Sequence, residues 1–152
     1  MKNVFYARNY HGTGVRETTH KIKTGDKETI MLAALEMKHL VPKYCVLVPV
    51  PGHHGTPGYT KELCIILSEL TGCQTKDIIR GNERPSWCFL KKKGLILTDE
   101  DFGFRIFEGV SKPILLVDNV YATGTTYRAL KRILPGAKIL VYSIDKTQNN
   151  EQ

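Results

Sequence analysis

Residues 114–126 have the sequence Ile114-Leu115-Leu116-Val117-Asp118-Asn119-Val120-Tyr121-Ala122-Thr123-Gly124-Thr125-Thr126. Four branched apolar residues in succession, 114–117, are typical of a buried strand in a parallel sheet. A small, hydroxyl-rich turn follows at 123–126. The turn leads into a segment with one apolar helical face, formed by Tyr127, Leu130, Ile133 and Leu134. We therefore expect a strand, a loop and a helix in succession, which is the repeating unit of α/β folds.

The order of these elements suits a sugar-phosphate site. Open α/β sheets bind ligands at the carboxyl ends of their strands, where the sequence places Asp118. Backbone N–H groups of the turn and the positive end of the following helix attract a phosphate, and a carboxylate accepts hydrogen bonds from ribose hydroxyls. In an ordinary strand–turn–helix unit, Thr125 and Thr126 would merely cap the helix. A Walker B strand is excluded, because its partner loop G-x-x-x-x-G-K-[ST] does not occur in the sequence.

This stretch resembles the motif that binds 5-phosphoribosyl 1-diphosphate (PRPP) in type I phosphoribosyltransferases. That motif is a hydrophobic strand, two acidic residues and a Thr-Gly phosphate loop. The resemblance implies that Asp118 and Asn119 are the catalytic pair that addresses the ribose 2′ and 3′ hydroxyls. It also implies a 5′-phosphate loop formed by Ala122, Thr123, Gly124, Thr125 and Thr126.

Two positions depart from the family pattern. Asn119 stands where the second acid is expected and brings no negative charge, which leaves catalytic competence open. At the position of Ala122, several purine-salvage members carry an Asp proposed to act in base chemistry. The lack of this Asp narrows the class of substrates that we expect for the chain.

A second loop follows the strand predicted over 44–50. The resemblance implies that this loop holds the diphosphate; it consists of Pro51, Gly52, His53, His54 and Gly55. Glycines let backbone N–H groups approach an anion closely, and the histidines add donors, or charge when protonated. The alternative is an ordinary Pro-Gly surface turn with exposed histidines.

The segment 81–93 corresponds in position to the mobile loop that closes over PRPP in many type I enzymes. As possible lid residues that meet the departing diphosphate, the resemblance indicates Arg80, Arg84, Lys91, Lys92 and Lys93. A solvated basic loop explains any one of these residues equally well.

The segment Val48-Pro49-Val50-Pro51-Gly52, followed by Gly58-Tyr59, is similar to the ComF-like subfamily. Residues 21–26 and 103–107 also fit that subfamily. Its zinc-ribbon spacing is missing, because no C-x-x-C pair occurs among the four cysteines. Its Gln and Arg-Asn motif is not recognisable between residues 80 and 105.

Strands that alternate with helices predict an α/β fold with a mainly parallel sheet flanked by helices, Rossmann-like and with a small hood. We expect helices over 26–40 and 59–71 and strands over 76–80 and 137–144. Residues 1–22 are expected to form an antiparallel hairpin that turns at 11–14. The chain is expected to be a single domain over 1–145 with a polar tail at 146–152.

The length, net charge and apolar pattern of the chain favour some classes of function over others. The 152 residues suit one domain, and the net charge of +7 is compatible with a phosphorylated substrate or with nucleic acid. Nucleic acid is the weaker interpretation, because no helix-turn-helix, winged or aromatic-stacking signature is present. The sequence has neither an apolar run of membrane length nor a signal-peptide core, so a cytoplasmic protein without membrane contact is expected. Cys45 and Cys64 are expected as core thiols.

The sequence therefore predicts a phosphoribosyltransferase that takes PRPP and Mg²⁺ and moves the phosphoribosyl group to or from a nucleobase-like acceptor, releasing diphosphate. Mg²⁺ is expected to arrive through PRPP with Asp118 nearby, rather than in a protein cage. The acceptor stays open, and no side chain is an evident general base. The alternatives are a non-catalytic PRPP or nucleotide sensor and a ComF-like accessory protein in DNA uptake. The resemblance also implies a homodimer.

Overall fold

The computed structural model describes residues 2–148, so the last four residues of the predicted polar tail lie outside the described part. Its strands are β1 Val4–Asn9, β2 Val46–Pro49, β3 Gln74–Thr75, β4 Ile79–Arg80, β5 Arg105–Ile106, β6 Ile114–Tyr121 and β7 Lys138–Ile144. Its α-helices are α1 Val15–Lys23, α2 Lys27–Met37, α3 Tyr59–Thr71, α4 Trp87–Lys92, α5 Asp99–Phe102 and α6 Thr125–Ile133. Short 3₁₀ turns follow at Lys38–Leu40 and Lys146–Gln148.

Five strands form one parallel sheet in the order β1-β7-β6-β2-β3. The central strand β6 pairs with β2 on one side and β7 on the other, and Asp118 lies opposite Val141. Strands covered on both faces bury successive side chains, which is why β2 and β6 have near-continuous apolar sequences. The predicted α/β fold with a mainly parallel sheet is confirmed.

Helices cover both faces of the sheet. On one face α1, α2 and α3 pack around Ile22, Ile30 and Leu63, which are fully buried. On the other face α6 contributes Tyr127 and Leu130. Cys45 and Cys64 are buried, as expected of core thiols. None of the helices within residues 2–148 has the length and apolarity needed to cross a membrane.

The hairpin predicted over residues 1–22 is wrong. Strand β1 pairs in parallel with β7, in the register Val4 to Ile139, and the turn after it leads into α1. The inward positions of that helix are Val15, Thr19 and Ile22, which have helical spacing. The backbone groups of β1 are therefore satisfied by a strand far along the chain, not by the residues that follow it.

The middle of the chain is more ordered than its sequence indicates. The short strand expected over 76–80 is reduced to β4, which pairs antiparallel with β5 in a small ribbon outside the main sheet. Helices α4 and α5 occupy the segment where no periodicity is visible. Helix α3 matches its predicted range. Helix α2 begins as expected at Asp26, whose side chain accepts a hydrogen bond from the N–H of Thr29 at 3.0 Å.

Candidate functional site

The loops that follow β2 and β6 open onto one cleft of about 1270 Å³ at the carboxyl edge of the sheet. The first loop contributes Pro51, Gly52 and His53 to its wall. Asp118 and Asn119 line the same cleft, and the second loop contributes Ala122, Thr123, Gly124, Thr125 and Thr126. The structure thus brings both predicted loops and the predicted Asp118 together in one cavity. His54 and Gly55 do not line it.

The loop 122–126 ends at the amino-terminus of α6. Gly124 has φ of +84°, and a Cβ at this position would collide with the hydroxyl of Tyr121. Inside the loop, the hydroxyls of Thr123 and Thr125 lie 2.8 Å apart. Arg128 donates a hydrogen bond to the Thr123 carbonyl oxygen at 3.1 Å. Hydroxyls and a helix amino-terminus at one point of the cleft form a local environment suited to an anion.

The loop 51–55 is closed by its own backbone. The Gly52 N–H donates to the Thr56 carbonyl oxygen at 3.1 Å, and the Gly55 N–H donates to the Gly52 carbonyl oxygen at 3.0 Å. These two glycines therefore shape the loop, and the prediction that their N–H groups face an anion is not supported. Gly55 has φ of +84° and packs so closely on the Gly81 backbone that a Cβ would not fit.

Arg84 joins this loop to the floor of the cleft. Its guanidinium donates to the Gly52 carbonyl oxygen at 3.0 Å, and its backbone N–H donates to the His53 carbonyl oxygen at 2.7 Å. The guanidinium also lies 4.6 Å from the centre of the Phe102 ring. Burial lowers the pKa of Arg84, while the charge of Asp118 acts in the opposite direction. An arginine stays charged under such conditions, so the loop carries a fixed cation.

Asp118 is partly buried in β6 beneath the cleft. Burial raises its pKa to about 7, although other influences favour the ionised form, among them hydrogen bonds from the Asn119 N–H at 2.8 Å and the Tyr59 hydroxyl at 3.5 Å and the charge of Arg84. The strand continues three residues beyond Asp118 to Tyr121, so the carboxyl group lies inside the strand and not at its last residue. At neutral pH this group is poised between its two protonation states.

Asn119 is 4% exposed and is engaged with the protein. Its Nδ2 donates to the Thr19 carbonyl oxygen of α1 at 3.2 Å. Its Oδ1 accepts from the Tyr59 hydroxyl of α3 at 3.2 Å. The amide therefore fastens two helices to the central strand, a role that the sequence does not reveal.

Three of the five predicted lid residues line the cleft and two do not. Arg84, Lys91 and Lys92 line the cleft, the two lysines from α4. Arg80 lies away from it, because its guanidinium pairs with Asp77 at 2.5 Å and 3.2 Å. Lys93 also lies outside the wall, with its ammonium 5.8 Å from the centre of the Phe89 ring.

Three basic residues of α1 line the cleft and were missed by the sequence analysis: Arg16, His20 and Lys23. The charge of Lys23 acts to lower the pKa of both Asp118 and His53. The three residues recur at a helical spacing of four and three, which is the signal that a helical interpretation of 15–23 would have used.

His53 lines the cleft, and its imidazole is neutral at neutral pH. Burial lowers its pKa, and the neighbouring His54 acts in the same direction. The two rings lie 4.0 Å apart between centres. The histidine pair was expected to add charge when protonated. At neutral pH the ring of His53 is instead neutral and offers only hydrogen bonds.

Comparisons with known proteins do not show a family for this chain. No family model matches the chain, and no curated protein matches it. Among solved structures, the allosteric regulatory enzyme of purine biosynthesis is similar over 76% of this chain and 24% of its own, with 20% sequence identity and a TM-score of 0.48. The chain thus spans about a quarter of the length of that structure.

Proposed function

We propose that this chain binds PRPP in the cleft and transfers its phosphoribosyl group to or from a nucleobase-like acceptor, with release of diphosphate. One observation carries the proposal: the loops after the adjacent strands β2 and β6 face one cavity, and Asp118 lines the same cavity. PRPP has a phosphate at one end, a diphosphate at the other and ribose hydroxyls between. The cleft residues offer a counterpart to each of these groups.

The 5′-phosphate is assigned to loop 122–126. The amino-terminal end of α6 presents a positive dipole and the hydroxyls of Thr123 and Thr125 lie beside it. This assignment needs no charged side chain in the loop, because backbone donors and hydroxyls suffice for a phosphate monoester.

The diphosphate is assigned to the opposite wall. Arg84 is held there by the loop 51–55, and Lys23, Lys91 and Lys92 line the same cavity. Four cations can neutralise the charge that collects on the departing diphosphate. Arg84 is already fixed before substrate arrives, so little reorganisation is needed for its part.

Mg²⁺ fits this site as a partner of the substrate. Within residues 2–148 no cluster of three His, Cys, Asp or Glu side chains could hold a metal by itself. Mg²⁺ commonly binds through phosphate oxygens, waters and one or two carboxylates, and Asp118 is the carboxylate beneath the cleft. When bound, Mg²⁺ would neutralise diphosphate charge. Asp118, when ionised, would orient the ribose and stabilise positive charge that develops at its C1 atom.

Asn119 favours a second candidate, a PRPP or nucleotide sensor that does not turn over. Its amide is used to join α1 and α3 to β6, which leaves a single carboxylate at the ribose position. Binding of PRPP needs only the anion sites, whereas catalysis also needs stabilisation of the ribosyl cation. The finer assignment to the ComF-like subfamily is also a proposal, supported mainly by residues 48–52 and 58–59, with residues 21–26 and 103–107 in addition.

An assay of diphosphate release separates these functions. PRPP and Mg²⁺ would be incubated with the protein and, in turn, with adenine, guanine, hypoxanthine, xanthine, uracil and orotate. Release that depends on one of these bases supports a transferase. PRPP binding by calorimetry without release from any base supports the sensor. Absence of both binding and release would overturn the proposal.

A further inference from the structure

A second group of side chains lies at the carboxyl ends of β1 and β7, in the same cleft. The Nε2 atom of His11 lies 3.0 Å from Oδ1 of Asp145. The Thr147 hydroxyl donates to that same Oδ1 at 2.6 Å, and the Thr147 N–H donates at 3.1 Å. All three residues line the cleft. None of them has a role in the PRPP site described above.

Main-chain hydrogen bonds place this group next to the phosphate loop. The Asp145 N–H donates to the Tyr121 carbonyl oxygen at 2.9 Å, and Ala122 follows directly. The Tyr10 N–H donates to the Ile144 carbonyl oxygen at 2.8 Å, which sets His11 beside Asp145. The His11–Asp145 pair, at the ends of β1 and β7, therefore lies on the side of β6 opposite the loop 51–55 that follows β2.

Nε2 is the nitrogen of the His11 ring that contacts Asp145. A carboxylate that accepts a hydrogen bond from Nε2–H leaves the lone pair on Nδ1. Burial acts to raise the pKa of Asp145, but hydrogen bonds from Thr147 and His11 outweigh it and the pKa is lowered, so this carboxylate is ionised at neutral pH. Asp145 has 12% of its side chain exposed and His11 has 53%, so the acid is fixed while the imidazole is accessible.

We propose that His11, held in place by Asp145, accepts the proton that the heterocyclic acceptor loses from its ring N–H. This inference rests on the proposed transferase function. The heterocycle nitrogen forms a bond to C1 of the ribose as the C1–O bond to diphosphate breaks. Diphosphate leaves with the bonding electron pair, and the proton from the ring nitrogen moves to Nδ1 of His11 and then to solvent. Asp145 is a positioning residue that holds the imidazole in its basic tautomer.

The surroundings of the pair fit such a ligand. Tyr10 lines the same wall, and its ring centre lies 5.3 Å from that of His11 with the planes at 89°. Aromatic rings at a cleft wall suit a flat heterocycle. Ala122, at the start of the loop 122–126, has no side-chain group that accepts a proton, whereas the imidazole of His11 lines the same cleft.

The first test is the nitrogen NMR spectrum of His11 in uniformly ¹⁵N-labelled protein. We expect Nε2 to be protonated and Nδ1 to carry the lone pair, and we expect Asp145→Asn to shift this tautomer balance. The six bases named above would then be titrated in the presence of ribose 5-phosphate, which has no leaving group. At least one base is expected to shift the Nδ1 resonance of His11. The exposed His39 lies outside the cleft and serves as the internal control.

The second test is turnover with that base. His11→Asn is expected to lower kcat by a factor on the order of 10²–10³ with the Kd for PRPP unchanged, as removal of a general base predicts. His39→Asn is the matched control and is expected to act as wild type. Wild-type turnover in His11→Asn, or PRPP binding without any base that shifts His11, would overturn this role of His11 while leaving the PRPP site in place. Failure of PRPP itself to bind would overturn the proposed function.

Discussion

The guanidinium of Arg84 donates a hydrogen bond to the carbonyl oxygen of Gly52 at 3.0 Å, so a cation from the middle segment is fixed to the loop after β2. The two residues are 32 positions apart in sequence. This contact positions positive charge at the end of the cleft assigned to diphosphate.

Replacement of this cation should weaken PRPP binding. We expect Arg84→Ala to raise the Kd for PRPP by about tenfold to a hundredfold, because charge-assisted hydrogen bonds contribute about 1.5–3 kcal/mol. Isothermal titration calorimetry measures the change. Arg105→Ala removes an exposed arginine of β5 outside the cleft and is the control. Equal affinities in wild type and Arg84→Ala would remove Arg84 from the binding site.

The raised pKa of Asp118 predicts a pH-dependent stability. An unfolded Asp has a pKa of about 3.9, whereas the folded value is about 7. Between these values the folded state holds a proton that the unfolded state has lost, so the contribution of Asp118 to the free energy of unfolding falls as pH rises through this window.

Asp118→Asn should remove that dependence. Relative to wild type, we expect the variant to gain about 1 kcal/mol or more in free energy of unfolding between about pH 5 and about pH 8. Urea denaturation at the two pH values gives the difference. A constant difference between the two proteins would mean that Asp118 is ionised throughout this range.

An acid at position 119, as in the motif that this stretch resembles, should destabilise this protein. In Asn119→Asp the donor to the Thr19 carbonyl oxygen is lost, and a carboxylate oxygen faces that oxygen instead. We expect a loss of about 1–3 kcal/mol in free energy of unfolding, as for a buried polar group left without its partner. Gln74→Glu makes the same chemical change at an exposed position of β3. A variant as stable as wild type with faster turnover would show instead that residue 119 reaches the ribose.

Gly124 should tolerate no side chain. Alanine would need the positive φ of this position, and its Cβ would meet the Tyr121 hydroxyl. A left-handed conformation alone costs a non-glycine residue about 1–2 kcal/mol, and displacement of the loop should lower PRPP affinity at least tenfold. Gly136→Ala is the control, since open space surrounds that glycine. Full affinity in Gly124→Ala would exclude the loop from phosphate binding.

The parallel sheet was predictable because its central strands carry continuous apolar runs, 46–48 and 114–117, with helices between them. Helix α1 was not predictable from the apolar pattern, and the reason is physical. Its central inward position is Thr19, a polar residue whose hydroxyl lies 2.8 Å from that of Ser143 in β7 and donates to the Val15 carbonyl oxygen. A buried polar pair of this kind weakens the apolar periodicity from which a helix is predicted.

The candidate site was predictable only where its signal is local in the sequence. Asp118 and the two loops follow apolar runs of the sequence, and that local signal located them. The contacts of Asn119 with Thr19 and Tyr59 join residues 100 and 60 positions away, and His11 meets Asp145 across 134. Such pairings depend on the strand order of the sheet, and a single sequence does not specify that order.

The central claim is tested most directly by titration of PRPP into the purified protein by calorimetry, with and without Mg²⁺, beside Asp118→Ala and the control Glu69→Ala, which removes an exposed charge from α3. We predict binding that is strengthened by Mg²⁺, retained in Glu69→Ala and weakened at least tenfold in Asp118→Ala. Absence of PRPP binding to the wild-type protein, or equal binding to wild type and Asp118→Ala, would contradict the assignment of this cleft to PRPP.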